Sequence, residues 1–493
     1  MSVMLASLLP ELAEIEQAKL IALSGLTDDT RLVKQGDLFL AVSGANHRAE
    51  DLANEAAYKF AAAILSEESI TKKSVHGVPV FPISDLAARR SEIAGTFYSH
   101  PSKDLFVVAV TGTNGKTSCS HFIADAMSEL GQACGIVGTV GSGHGQDLSR
   151  AGLTTPGAVL LQEILSEFRD AKLTAVSIEA SSHGLSHGRL NGIQVDIAIF
   201  TNLTRDHLDY HGTVENYFSA KEKLFVMDSL SAVVINIDDE FGNRLIDAIA
   251  PEVKVLTYGL NNAGADIFAK KVDYHTRGFE AQIVSPWGEL DISASIFGEF
   301  NLSNILAVIA VLGQRGFLVR DISNAISHLA NVRGRMHRVK KTGSITVLID
   351  YAHTPDALEK ALKSVRLHNT DSIWCVMGCG GDRDQGKRAP MGRISTELAE
   401  HTIVTSDNPR MEDPQKIVND ILKGCINDAD VTVEIDRKRA IEYALSHAQE
   451  GEVILIAGKG HEEYQEREGE RFFFSDFDVV ERYLGAKSEC GEA

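Results

Sequence analysis

No run in this 493-residue chain approaches the roughly 20 uninterrupted apolar residues that a bilayer-spanning helix requires. The first residues, MSVMLASLLPELAEIEQ, lack a basic stretch and turn acidic at once, which is not the pattern of a secretory signal. Positive charge is scarce. Forty-eight Lys and Arg against 68 Asp and Glu leave a formal net charge of −20, a field that opposes non-specific nucleic-acid binding. The six cysteines (Cys119, Cys134, Cys375, Cys379, Cys425 and Cys490) show no disulfide framework. Cys375 and Cys379 have no second Cys/His pair at zinc spacing after them. Reduced thiols in the cytoplasm are the expectation. Internal repeats and low-complexity tracts are absent too.

What the chain has is alternation. At about 150 residues per domain its length suggests roughly three domains, and 44% apolar with 24% charged residues are ordinary globular values. Before residue 104, strand-like runs at 37–42, 61–65 and 78–81 lie between Ala- and Glu-rich helical stretches, a small α/β unit. The polar segment SHPSKD at 99–104 marks a boundary. Strands at 106–111, 174–179, 196–201 and 232–236 then alternate with helices at 116–130, 215–227 and from 301, the signature of a mostly parallel sheet. Residues 265–297 read as short alternating strands with Gly turns, an antiparallel addition. After Arg335 a second α/β series places strands at 344–350, 372–378, 401–405 and 452–457, and the tail beyond Gly485 reads as disordered.

Residues 106–118, FVVAVTGTNGKTS, run from an apolar β-branched strand through a glycine turn into Lys-Thr at a helix start. That order lets backbone N–H groups cradle phosphates. Gly112 and Gly115 allow a tight turn around Thr113 and Asn114. Lys116 offers a point charge, the Thr117 hydroxyl can reach Mg²⁺, and Ser118 follows in the first turn. The spacing is shorter than the common G-x-x-x-x-G-K-[ST], because Val110 stands five before Gly115.

Other polar clusters also follow strands, at the edge where open α/β sheets bind ligands. In SIEASSHG (177–184), Glu179 reads as a Mg²⁺ ligand or as a helix-capping carboxylate. TNLTRDHLDYHG (201–212) offers Asp206, His207, Asp209 and His211 as ligands or bases, and Lys221 follows on a helix, where a lone lysine is usually a solvated charge. GEFNLSN sets Asn301 and Asn304 on one face of a helix start, where capping explains at least one. DYAHTPD ends a strand at Asp350. GCGGDRDQGKR, with Arg383, is a glycine-rich anion nest followed by basic residues. DNPR, Asp407 to Arg410, reads either as an Asx-Pro turn or as a zwitterion holder, with Arg410 taking a carboxylate and Asp407 an ammonium. AGKGHE, with Gly458 and Glu462, closes the last strand.

Taken together, TGTNGKT, EASSHGL, TNLTRDHLDYHG, GEFNLSN, GRM, DYAHTPDAL, GCGGDRD, DNPR and AGKGHE, in that order within a match that runs from Leu26 to about Asp476, resemble the Mur ligase family, the ATP-dependent amide-forming enzymes that build the peptidoglycan precursor. The resemblance implies an α/β chain of three domains. These are a UDP-sugar-binding domain at 1–103, a central P-loop-type, mostly parallel ATP-binding domain at 104–336, and a Rossmann-like amino-acid-binding domain at 337–493. DNPR resembles the branch that adds meso-diaminopimelate to UDP-N-acetylmuramoyl-L-alanyl-D-glutamate, because the extra carboxylate suits Arg410 with Arg383. Residue by residue, the resemblance assigns Gly112–Ser118, Asn301, Asn304, Arg335 and Asp350 to ATP. Lys116, Glu179, His207 and Lys221 become catalytic, and Thr117, Glu179, His207 and a carbamylated Lys221 become Mg²⁺ ligands. Asp28, Thr30, Ala45, Asn46, His47, Thr154, Thr155, Ser181, His187 and Arg189 take the nucleotide-sugar peptide. Arg383, Asp407, Asn408, Pro409, Arg410, Gly458 and Glu462 take diaminopimelate. A cytoplasmic monomer acting on small molecules, with no nucleic acid and no membrane insertion, is the expected setting.

Overall fold

A computed structural model describes every residue except 1–2, 45–46, 68–72, 146, 150–151, 340–344, 369–370 and 491–493, together with the backbone but not the side chains of 486–490. Among the described residues three large sheets follow one another along the chain, beside two small two-stranded ones. The first orders its strands Gly25–Thr27, Asp37–Ala41, Ala63–Ser66 and Val78–Pro82 in parallel, with Ser74–Val75 antiparallel at its edge.

The second sheet has eleven strands. Its parallel centre runs Cys134–Val137, Ala175–Glu179, Phe106–Thr111, Ile197–Phe200, Ala232–Asn236 and Lys254–Gly259. These strands are apolar almost throughout because helices cover both faces, and Val107–Val110 and Ile197–Phe200 are fully buried. The segment expected as an antiparallel addition forms Ile267–His275, Gly278–Ser285 and Gly288–Ala294 at one edge. From Phe106–Thr111 the chain passes first to strands on one side and then to Ile197–Phe200 on the other, so its carboxyl end is a topological switch point, where such sheets bind ligands.

The third sheet orders His337–Arg338, Thr346–Asp350, Val453–Ala457, Ile373–Met377, His401–Val404 and Asp430–Val433, all parallel except the first. Phe297, just before the buried helix Glu299–Gln314, packs into the core of this sheet, and Gly298 N donates to His368 Nε2 at 2.9 Å. That contact mounts the third sheet against the second with its strand ends near the switch point.

Three readings of the sequence change. Cys134–Val137 is a strand hidden by its internal glycine. The helix expected at 215–227 is Val214–Glu222. The tail expected to be disordered beyond Gly485 continues as the helix Asp476–Cys490, since Ala486, Lys487 and Glu489 are good helix formers.

That last helix begins on a buried ion pair. Arg437 Nε and Nη2 each lie 2.8 Å from an Asp476 carboxylate oxygen, both side chains are fully buried, and Nη2 also holds Ala457 O at 3.0 Å. Asp476→Ala leaves the guanidinium buried without its partner, a loss of about 3–5 kcal/mol. The chain has two tryptophans. With Trp287 changed to Phe, Trp374 fluorescence should show an earlier denaturant midpoint for the third sheet, and an unchanged midpoint contradicts this.

Candidate active site

The glycine-rich loop joins the strand Phe106–Thr111 to the helix Lys116–Glu129. Gly115 has φ +89°, and a Cβ there would stand 2.6 Å from Asn304 Oδ1, while one at Gly112 would collide with Thr201 Oγ1. Only glycine combines such backbone with such closeness. The end of the neighbouring strand braces the loop. Thr113 N donates to Asn202 O (2.8 Å), Asn114 N to Asn202 Oδ1 (3.0 Å) and Thr201 Oγ1 to Asn114 O (2.6 Å). A cleft of about 480 Å³ opens over the loop, with Thr117, Glu179 and His207 on the side of the second sheet and Arg335, Asp350 and Tyr351 on the side of the third.

Two lysines converge on one carbonyl. Lys116 Nζ donates to Gly112 O (2.8 Å) and Thr113 O (2.9 Å), and Lys221 Nζ donates to the same Gly112 O at 2.8 Å. Lys221 is 1% exposed and lies over the Tyr217 ring, 4.5 Å from its centroid. Burial pulls the Lys116 amine below the usual lysine range, with Glu179 and Asp206 pulling the other way. Burial and the Lys116 charge hold Lys221 far below it.

Glu179 is fully buried at its strand end and accepts from Thr117 Oγ1 (2.9 Å), Thr139 N (2.9 Å) and Thr139 Oγ1 (3.0 Å). Arg335 Nη2 reaches Thr117 Oγ1 at 3.3 Å, and its guanidinium stacks 4.7 Å from the Tyr351 ring centroid. Thr117 and Glu179 thus set two hard oxygens side by side at an anion-binding loop, a donor set suited to Mg²⁺. Among the described residues no three His, Cys, Asp or Glu side chains form a metal-holding group. Mg²⁺ needs only one or two carboxylates when phosphate and water oxygens complete its shell, so these residues fit it. His207 lines the same cleft, and burial lowers its imidazole despite Asp206 beside it at 3.4 Å.

A second cavity of about 330 Å³ shares Lys116, Thr154 and His207 with the first and is also lined by Ser181, Arg189 and Lys221. Thr155 Oγ1 donates to Glu179 O (2.6 Å), and Arg189 Nη1 to Thr155 O (2.7 Å). His187 Nε2 lies 3.2 Å from Tyr210 Oη. Burial lowers the Arg189 guanidinium and the charge of Arg90 adds to this; Arg90 in turn pairs with Asp28 at 3.1 Å. Asp28, from the first sheet's region, therefore stands near this cavity. Thr30 is buried, and its carbonyl takes Lys59 Nζ at 2.7 Å. His47 O accepts Gly44 N, whereas Ala45 and Asn46 lie outside the described residues. Neither Thr30 nor His47 lines either cavity.

Asn304 lines the cleft and Asn301 does not. Asn301 Nδ2 donates to Phe297 O (2.8 Å) while its Oδ1 takes Asn304 Nδ2 (3.2 Å), so it orients its neighbour. Asp350 is buried, which raises its carboxyl, and accepts from Met336 N (2.7 Å) and Ala352 N (2.8 Å).

The remaining candidates gather at the strand ends of the third sheet. Arg410 Nη1 donates to Gly381 O (2.8 Å), and a Cβ on Gly380 would stand 2.9 Å from that nitrogen and 3.9 Å from Arg383 Cγ, so the two arginines share one corner. Asp407 is buried against Gly458, and Asn408 Nδ2 donates to Glu462 Oε2 at 2.8 Å. The sequence reading missed Thr139, Asn202, Tyr351, Arg90 and Lys459. Asn202, Tyr351 and Lys459 lay inside motifs already singled out, whereas Thr139 and Arg90 did not.

Residues 110–312 match the Mur ligase middle domain and residues 334–460 the Mur ligase, glutamate ligase domain. The chain is 42% identical over 469 residues to a Pseudomonas putida protein named UDP-N-acetylmuramoyl-L-alanyl-D-glutamate–2,6-diaminopimelate ligase, covering 94% of this chain and 95% of that one. The chain belongs to the Mur ligase family. A Pseudomonas aeruginosa protein of the same name is 43% identical over 462 residues, 94% of this chain and 95% of that one. A solved ligase of that name superposes on this Mur ligase with a TM-score of 0.73 at 35% identity, over 99% of this chain and all of the other.

Gly115→Ala forces a left-handed turn on alanine and presses its methyl toward Asn304. Titration with a fluorescent ATP analogue should show at least a ~10-fold loss of affinity, about 1.4 kcal/mol, with an unchanged circular dichroism spectrum. Equal affinity contradicts the loop's role in this Mur ligase.

Proposed function

We propose that this Mur ligase uses ATP to join meso-2,6-diaminopimelate to the D-glutamyl γ-carboxylate of UDP-N-acetylmuramoyl-L-alanyl-D-glutamate, releasing ADP and phosphate, as a cytoplasmic monomer making peptidoglycan precursor. The names of its relatives support that substrate set. No helix among the described residues is long and apolar enough to cross a membrane. The observation that carries the choice of amino acid is the corner where Arg383 and Arg410 meet, beside Asp407 and Glu462. Two guanidiniums next to carboxylates match an amino acid that ends in a second carboxylate and a second ammonium.

The triphosphate lies along Gly112–Ser118, with Asn304 toward the adenine and Arg335 and Asp350 along the phosphates and ribose. A γ-carboxylate oxygen in the second cavity attacks the terminal phosphorus, the bond to the ADP oxygen breaks, and an acyl phosphate forms. Lys116 stabilises the charge on the transferring group. Thr117, Glu179, His207 and a carbamylated Lys221 would hold Mg²⁺, whose chemistry there is to neutralise phosphate charge. The depressed Lys221 amine favours the unprotonated form that adds to carbon dioxide. A neutral amine of diaminopimelate then attacks the acyl carbon, phosphate leaves with its bridging oxygen, and the amine gives up a proton. His207, His211 and Glu462 are the candidate bases, and His207 alone of these lines both cavities. Water is kept from the acyl phosphate by closure of the cleft, where Asn114 Nδ2 already meets Asp356 Oδ2 at 3.3 Å across the two sheets.

Incubation with ATP, Mg²⁺ and UDP-muramoyl-dipeptide should release phosphate only when diaminopimelate is added, and lysine should not replace it. Release that ignores the amino acid contradicts the proposal and favours a nucleotide-hydrolysing switch. Arg410→Ala removes a charge-assisted contact of about 1.5–3 kcal/mol. It should raise the diaminopimelate KM roughly 10- to 100-fold and leave the ATP KM unchanged. Equal effects on both substrates contradict the assigned role.

A further inference from the structure

Lys459 is a buried charge that the reaction above leaves unused. It is 0% exposed, one residue beyond Gly458 at the end of the strand Val453–Ala457. Its Nζ donates to Asn408 Oδ1 (3.1 Å) and Glu462 Oε2 (3.0 Å) and lies over the Tyr464 ring, 5.4 Å from its centroid. Glu466 N donates to the same Asn408 Oδ1 at 3.0 Å, while Asn408 Nδ2 donates to Glu462 Oε2 at 2.8 Å. Both ends of the Asn408 amide are therefore assigned, its oxygen to two donors and its nitrogen to a carboxylate. The consequence falls on Glu462. Its Oε2 is taken by an ammonium and an amide, and its Oε1 accepts no hydrogen bond among the described residues.

The surroundings fit a zwitterion. Burial and the Glu462 charge raise the Tyr464 phenol, while Arg471 and Arg410 pull the other way. Tyr351 feels both Glu462 and Asp407.

We propose that Lys459 is a positioning residue for amino-acid selection. By holding Glu462 Oε2 and fixing the Asn408 amide, it leaves Glu462 Oε1 as one aimed acceptor for the ammonium at the distal, non-reacting centre of the substrate, which takes Glu462 out of the candidate bases. Lys459 acts through Glu462 and does not itself touch the amino acid. The proposal rests on reading this corner as the diaminopimelate site.

The test compares meso-diaminopimelate with 2-aminopimelate, which keeps both carboxylates and one amine but lacks the distal ammonium. KM values for both, and for ATP, are measured on the full-length wild type and on Lys459→Met. The wild type should favour diaminopimelate at least tenfold. Lys459→Met should raise the diaminopimelate KM at least tenfold while the KM values for 2-aminopimelate and ATP stay within twofold, so that discrimination collapses. Lys459→Gln, which keeps an N–H donor without the charge, should fall between. It decides the matter by the same ratio if the Met variant fails to bind ATP. An equal rise for both amino acids, or a wild type that does not distinguish them, overturns the proposal. If wild-type phosphate release needs neither amino acid, the diaminopimelate reading itself has failed and this proposal falls with it.

Discussion

Two lysine amino groups bonded to one carbonyl set the terms for this active site. Lys116 and Lys221 are buried together at Gly112 O, with the Glu179 carboxylate as nearby compensation for Lys116. Like charges at such range in a poorly solvated cleft repel strongly, and each pays for its own desolvation. The site is therefore built to receive negative charge. The loop N–H groups, the start of the helix Lys116–Glu129 and Arg335 all face the same cleft. In the proposed reaction a triphosphate answers Lys116, and a carbamate turns Lys221 from a donor into an acceptor.

The fold meets this demand by aiming strand ends from two sheets at one cleft. Glu179, Thr201 and the glycine loop end parallel strands of the second sheet, and Asp350 and Gly458 follow strands of the third. Phe297 and His368 lock the sheets together, which brings Arg335 within reach of Thr117 and Tyr351. In the proposed reaction phosphate handling belongs to the second sheet and amino-acid recognition to the third. The proposed acyl transfer takes place where they face each other.

Much of this was legible in the sequence because it is local. A β-branched run followed by glycines and Lys-Thr specifies strand, loop and helix through backbone requirements alone, and polar clusters after apolar runs mark strand ends. What was illegible depends on distant partners. Apart from the family resemblance, Lys221 reads as a solvated helical lysine, and only the packing of Val214–Glu222 against the loop buries it. Asn301 and Asn304 look equivalent by spacing, yet one supports the other. Lys459 sits in a recognised motif, but its meaning comes from Asn408, 51 positions away. The strand Cys134–Val137 is four residues long and contains a glycine, so propensity could not reveal it.

In the proposed reaction the γ-carboxylate of the acceptor is phosphorylated before the amine arrives. The direct measurement uses acceptor labelled with ¹⁸O in that carboxylate and mass analysis of the phosphate released during turnover with diaminopimelate. One ¹⁸O atom per phosphate is expected, carried over from the bridging oxygen of the acyl phosphate. Phosphate free of ¹⁸O at full turnover would contradict it.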